Sequence, residues 1–264
     1  MLLPRISTAL ILLAIAAGIL FYTPAHIFSA AAWLLCLLAI YELTKMYRFT
    51  QWQSIATAII ATAIAIAIAV SAHDCSQVIR IIAVVTWCFM VPLILIFTPR
   101  KFPKLAIMIF ALMLFIPAYY SLTVINALFG PWQLVSLMAV AWVADTGAYF
   151  VGKSLGKHKL APRISPGKSI EGAIGGFALV VIYLLILKYF NAAIYLPKYG
   201  TVFKFAFILT AISIVGDLFE SWLKRVAQVK DSGTLLPGHG GVFDRIDSLI
   251  AVMAIAFAII RGMI

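Results

Sequence analysis

The sequence predicts an all-α, polytopic integral membrane protein with about nine transmembrane helices. Three observations carry this. Of the 264 residues, 64% are hydrophobic and 11% charged, and the mean hydropathy is +1.10, well beyond a soluble domain. Apolar stretches of roughly 20 residues, the length a helix needs to cross about 30 Å of hydrocarbon, recur from end to end. They are unbroken, as in IATAIIATAIAIAIAV at 55–70, rather than the short alternating segments of a barrel, so helices are the expected spanning structure.

In order, the expected spans are 5–23, 27–47, 52–72, 79–97, 104–126, 131–152, 171–190, 203–225 and 246–263. The first lacks a small-residue cleavage site and is expected to be a retained helix, not a removed signal peptide. Cys36, Cys75 and Cys88 have no metal-ligand spacing and an odd count, so they are expected to pack rather than to bridge or bind zinc. The net charge of +11 is first of all a topological signal, and nucleic acid is excluded as a partner. Lys45, Arg48, Arg100, Lys101, Lys104, the Lys153–Lys168 group, Lys224, Arg225, Lys230 and Arg245 fall on one face. Only Arg80, Lys188, Lys198, Lys204 and Arg261 fall on the other. The N-terminus is therefore expected inside, with two long cytoplasmic loops at about 153–170 and 226–245.

Of the nine acidic residues, Glu42 and Asp74 lie in the first half and the rest border those two loops. A carboxylate inside a membrane span costs a few kcal/mol and normally faces a polar cavity, so the second half is expected to hold the site. This divides the chain into 1–130, expected to embed and dimerise the protein, and 131–264, the catalytic region with its two cytoplasmic catalytic loops. No internal repeat is visible, which weighs against a transporter built from repeated halves.

Three constellations carry chemistry. In VADTGAYFVGK, 143–153, Asp145, Tyr149 and Gly152 share a helix face at i, i+4, i+7 and turn a carboxylate and a phenol toward one cavity. The plain alternative is an Asp paired with a base for structural reasons. In KSLGKHKLAPRISPGKSIEG, 153–172, the GKS is not a nucleotide loop, because Pro162 stands where that motif needs Gly. What remains is Ser165, Lys168 and Ser169 ahead of a helix N-terminus, a setting that suits phosphate. The alternative there is topological charge and capping; His158 is expected to be a solvated loop residue and Glu171 to complement the helix dipole.

The third constellation is GDLFESWLKRVAQVKDSGTLLPGHGGVFDRID, 216–247. Asp217, Glu220, Ser221 and Lys224 form one helical stripe with acids at the membrane end. Lys230 and Asp231 then enter a loop whose Gly238, Gly240 and Gly241 let backbone N–H groups approach an anion. Asp244 and Asp247 open the last helix on one face. Mg²⁺ typically takes one or two carboxylates plus substrate phosphates, and Asp217 and Asp244 are the candidates. Lys224, Arg225, Lys230 and Arg245 would neutralise a polyphosphate, and His239 beside the glycines is expected to contact substrate. A solvated loop laced with salt bridges would not need those glycines.

The run SWLKR, then four residues, then KDSGTLLPGHGGVFDRID, 221–247, resembles the full signature of the phosphatidate cytidylyltransferases, also called CDP-diacylglycerol synthases. The stretch 145–172 is similar to the family's second block, with Ser169 where Thr is common and Ile170 where Trp is common. The resemblance covers about 145–247. It implies the reaction of CTP with phosphatidate (phosphatidic acid) to give CDP-diacylglycerol and pyrophosphate, dependent on Mg²⁺, with Asp217 and Asp244 at the metal and K⁺ beside it. Glu220 and Asp247 would be auxiliary or supporting ligands. It also implies a homodimer formed through membrane helices, among membrane lipids. The compact chain suits a bacterial inner-membrane enzyme whose site faces the cytoplasm. Two other readings stay open: a CTP-dependent enzyme acting on another lipid, such as a polyprenol kinase, and a cation-coupled transporter using Asp145, Asp217 and Glu220 as a relay.

Overall fold

The computed structural model describes residues 3–71, 74–196, 198–236 and 240–261, and the fold is a bundle of helices with one short hairpin. Helix α1 (Leu3–Tyr22) is followed by α2 (Ala25–Met46), which begins after Pro24, a residue that cannot extend the preceding helix. Helix α3 (Gln51–Val70) opens with a capping box in which Thr50 and Gln53 satisfy each other's backbone N–H groups.

Helices α4 (Ser76–Val84) and α5 (Val91–Phe97) form one rod joined by a π-helical turn at Val85–Met90. Pro92 follows the turn; it has no N–H and its ring crowds the carbonyl four residues back, and widening the helix there relieves both problems. Thr98, in the left-handed region at φ 43°, ends the rod.

Helix α6 (Lys104–Phe129) carries Pro117 inside it, with Ser121 donating 2.6 Å to the Pro117 carbonyl. Gly130, at φ +82°, makes the turn into α7 (Pro131–Leu155). Then come β1 (Lys159–Ala161) and β2 (Ser165–Ser169), antiparallel with Lys159 opposite Ser169 and Ala161 opposite Ser165. The chain ends in α8 (Ile170–Tyr189), α9 (Tyr199–Ala227) and α10 (Phe243–Arg261).

Among the described residues, seven helical rods are long and apolar enough to cross a membrane: α2, α3, Ser76–Phe97, α6, α7, α8 and α9. Their outward faces show Ile59, Ile66, Phe89, Ile96 and Phe207, which suit hydrocarbon. The interior is closed by an aromatic stack in which Phe219 meets Trp87, Phe110 and Trp222, and Trp222 meets Phe102.

Two glycines bring the site's helices together. A Cβ on Gly176 of α8 would stand 2.7 Å from the Ala144 carbonyl oxygen of α7, so these backbones touch only because it is absent. Gly216 of α9 likewise faces the Asp247 carbonyl oxygen of α10 at 2.8 Å.

The structure corrects four expectations. The first catalytic loop is no plain loop, since it folds into the β1–β2 hairpin. His158 is not merely solvated, and Glu171 does more than complement a dipole: its carboxylate accepts the Lys157 and His158 backbone N–H groups and meets His158 Nδ1 at 2.6 Å, closing the hairpin's base. Cys88 is exposed on its rod rather than packed, whereas Cys36 is buried.

Candidate active site

Two groups of charged side chains share α9. The first borders a cavity of about 530 Å³ between α7, β2, α8 and α9, whose polar lining includes Asp145, Tyr149, Ser165, Lys168 and Asp217. Lys168 Nζ pairs with Asp217 Oδ2 at 2.5 Å. Ser221 donates to Asp217 Oδ1 over 3.4 Å, and Ser248 of α10 reaches Asp145 Oδ2 at 3.5 Å. Asp247, whose Oδ1 accepts the Ser248 N–H at 2.7 Å, lies close enough to Asp217, Asp145 and Lys168 for their charges to interact. Four elements therefore bring three carboxylates to one lysine.

The second group centres on Lys224, which bridges Glu220 Oε2 at 2.6 Å and Asp244 Oδ1 at 2.8 Å. Asp244 Oδ2 organises the loop before α10, accepting the N–H groups of Ser232 at 2.9 Å and Gly241 at 2.8 Å and facing Ser232 Oγ at 3.0 Å. Gly240, at φ +82°, supplies the left-handed turn that aims the Gly241 N–H at the carboxylate. Glu220 is buried, and among the described residues its Oε1 has no hydrogen-bond partner.

Sequence reasoning missed the residue that anchors this loop. Glu42 of α2, only 3% exposed, accepts the N–H groups of Val242 at 3.0 Å and Phe243 at 2.9 Å, and Ser232 Oγ lies 3.0 Å from its Oε2. Its one visible signal was being the single acid in an apolar span; its partners lie some 190 to 201 residues away, beyond any spacing rule. Tyr47 adds a second tie from α2, donating to the Leu223 carbonyl at 3.2 Å.

The other expected site residues are placed as follows. Ser169 accepts the Gly172 N–H at 3.1 Å and so caps α8 at the cavity edge. Tyr149 is exposed, with Lys153 Nζ 5.7 Å from its ring centre. Arg225 turns away from the carboxylates: its Nε donates to the Ile164 carbonyl at 3.3 Å, and it borders a separate cavity with Arg100 and Arg163. Lys230, Asp231 and Arg245 are exposed around the loop. Gly238 and His239 lie outside the described residues.

Residues 3–263 match the model of the cytidylyltransferase family. The chain belongs to that family. A Pseudomonas aeruginosa relative named phosphatidate cytidylyltransferase is 34% identical over a 277-residue alignment that takes in 98% of this chain and 97% of the relative. Relatives of the same name from Brucella suis and Bacillus subtilis reach 49% over 129 residues and 50% over 115. Those two alignments take in 49% and 43% of this chain, and span only 47% and 42% of the relatives' length.

No ready-made group of three or more His, Cys, Asp or Glu ligands occurs among the described residues. The residues present nevertheless fit Mg²⁺ as a site shared with substrate: the donors are all carboxylate oxygens, and one buried oxygen, Glu220 Oε1, has no partner among the described residues.

Proposed function

We propose that this family member transfers the cytidylyl group of CTP to phosphatidate, releasing CDP-diacylglycerol and pyrophosphate. The observation that carries this reading is the convergence of Asp145, Asp217 and Lys168 on one cavity, with Asp247 close behind them, beside the Glu220–Lys224–Asp244 group. A lipid phosphate and a nucleotide triphosphate need cations to hold them and acids to hold a metal, and both lie here within one helix length.

A phosphatidate phosphate oxygen forms a bond to the α-phosphorus of CTP, the bond from that phosphorus to the bridging oxygen breaks, and pyrophosphate departs. The attacking oxygen is already ionised near neutral pH, so no general base is assigned. Lys168 would hold the lipid phosphate with Ser165 at the cavity mouth. Lys224, with Lys230 and Arg245 from the loop, would meet the triphosphate. Asp217, Asp244 and Glu220 would hold Mg²⁺, with K⁺ beside it and Asp247 and Asp145 in support. Bound there, Mg²⁺ supplies positive charge against the phosphate oxygens. Gly240, Gly241, Ser221 and Tyr149 would shape the pocket, and Asp231 and His239 belong to the same loop. Ser169 serves through the cap that fixes Lys168.

Counting α1 and α10 with the seven rods gives nine crossings, and the excess of Lys and Arg on one side supports a cytoplasmic N-terminus with the site at the cytoplasmic surface of a bacterial inner membrane. There CTP arrives from water and phosphatidate from the lipid. The outer apolar faces leave room for a homodimer through membrane helices.

The test is product formation by the detergent-purified chain given labelled CTP, phosphatidate and Mg²⁺. CDP-diacylglycerol should appear, vanish with a chelator, return with added Mg²⁺, and fall at least about 100-fold in Asp217→Asn, an effect of the size expected when electrostatic stabilisation is lost. A folded protein that makes no product from phosphatidate, or that turns over polyprenol instead, would overturn the assignment.

A further inference from the structure

Thr210 lies on α9, seven residues or about 10 Å of helix before Asp217, and borders the same cavity as Asp145, Lys168 and Asp217. Thr210 is only 3% exposed, and among the described residues its hydroxyl has no hydrogen-bond partner. Thr86 and Ser213 are likewise buried without a partner among the described residues, but neither borders this cavity. A hydroxyl inside an apolar helix normally returns its proton to a carbonyl three or four residues back. Thr57, Thr62, Ser121 and Thr146 all do so in this chain. Thr210 forgoes that bond in surroundings where an unmet hydroxyl is costly. The cavity it borders is the direction from which a partner can come.

The cavity is graded along its helices. From Asp217 back through Ile214 to Thr210 on α9, and from the paired Lys168 past Ser169 to Gly172, Ala173 and Gly176 of α8, the lining passes from charged and polar to small and apolar residues. Its lining matches a ligand with a phosphate at one end, an apolar body and a hydrogen-bond acceptor between them.

Building on the cytidylyltransferase reading above, we propose that Thr210 Oγ1 donates to an acyl-ester carbonyl of the diacyl lipid. The lipid phosphate pairs with Lys168 at the mouth, the glycerol esters lie about two helical turns deeper, at the level of Thr210, and the chains continue along the apolar wall. The residue thereby selects for ester-linked lipids.

The experiment compares diacyl phosphatidate with its dialkyl ether analogue, which lacks both carbonyls, in nanodiscs of fixed composition. The wild-type chain, Thr210→Val and Thr210→Ser are measured with lipid fraction and CTP varied in turn. One neutral hydrogen bond corresponds to roughly a five- to tenfold change. The wild type should favour the diester by about that factor in kcat/KM. Thr210→Val should lose the same factor on the diester only, with the KM for CTP unchanged, and Thr210→Ser should keep the discrimination. Equal losses on both lipids, no loss on either, or a change confined to the KM for CTP would overturn the proposal; the last would place the nucleotide at Thr210. Absence of product from both lipids with wild-type protein would instead overturn the cytidylyltransferase reading on which it rests.

Discussion

Replacing Glu42 with Gln tests whether the loop before α10 is held from the far end of the chain. In the native structure Oε1 serves the Val242 N–H at 3.0 Å, and Oε2 serves the Phe243 N–H at 2.9 Å and faces Ser232 Oγ at 3.0 Å. Glutamine keeps one acceptor oxygen and turns the other into a donor. Whichever way the amide sits, one backbone N–H then faces an NH₂ in a buried site, and the remaining bonds lose their charge. Hydrogen bonds to charged groups contribute about 1.5–3 kcal/mol and an unmet buried donor costs about 1–3 kcal/mol, so the net loss should be roughly 2–4 kcal/mol. At about 1.4 kcal/mol per factor of ten, local opening of the loop becomes on the order of 100-fold more populated. Hydrogen exchange in nanodiscs should show Val242 and Phe243 exchanging faster by about that factor. On the proposed reading, CDP-diacylglycerol formation should fall at least about tenfold, because Ser232 links Glu42 to Asp244. Exchange at these two amides within about threefold of wild type would refute the anchoring role.

Two further outcomes follow from packing and charge. Gly216→Ala would set a Cβ 2.8 Å from the Asp247 carbonyl oxygen and 3.0 Å from Ala251 Cβ. Helix α10 must then shift, at about 1–3 kcal/mol, and initial rates should fall at least about tenfold; unchanged melting and rates would show that the contact gives way easily. Lys224→Met leaves Glu220 and Asp244 without their shared cation, and breaking a buried pair this way costs about 3–5 kcal/mol. A thermal melt should fall by roughly 6 °C or more, and adding Glu220→Gln to the same chain should recover part of it. A single variant melting like wild type would remove the need for that ammonium in folding.

The parts of this fold that were legible in the sequence are those governed by length and composition. Apolar runs gave the rods and their order, because a helix that crosses hydrocarbon has no other way to satisfy its backbone. The stripe Asp217, Glu220, Ser221 and Lys224 followed from helical spacing, and the structure keeps all four on one helix with Asp217 and Ser221 bonded to each other. The β1–β2 hairpin was not legible: its strands, KLA and SPGKS, are three and five residues long and without alternation, so no periodic signal exists to read. The π-turn was hidden because Pro92 alone says that a helix is disturbed, and not how. Gly152 shared a face with Asp145 on paper, but the structure sets it against Ser169 and Gly172 in the α7–α8 contact rather than in the cavity. Arg225 follows Lys224 by one residue, and that one step rotates it toward the hairpin carbonyl of Ile164.

The charges explain why these pieces must meet. Asp145, Asp217, Glu220, Asp244 and Asp247 gather from three helices, and the ammonium groups that meet them directly are those of Lys168 and Lys224. In the low-dielectric end of a helix bundle such an excess of negative charge is costly. The chain offsets part of it with backbone N–H groups, since Asp244 accepts two and Asp247 one. Those donors belong to the loop and to the start of α10, so the loop's closure and the tolerance of the acids are one event. Glu42 enters here as well: by accepting the N–H groups of Val242 and Phe243 it holds the turn that presents Gly241 to Asp244. The negative charge that remains is what a divalent cation would neutralise, and these carboxylates would hold the proposed Mg²⁺, whereas the cavity beside Arg225 is lined by Arg100 and Arg163 as well and offers a cation only repulsion.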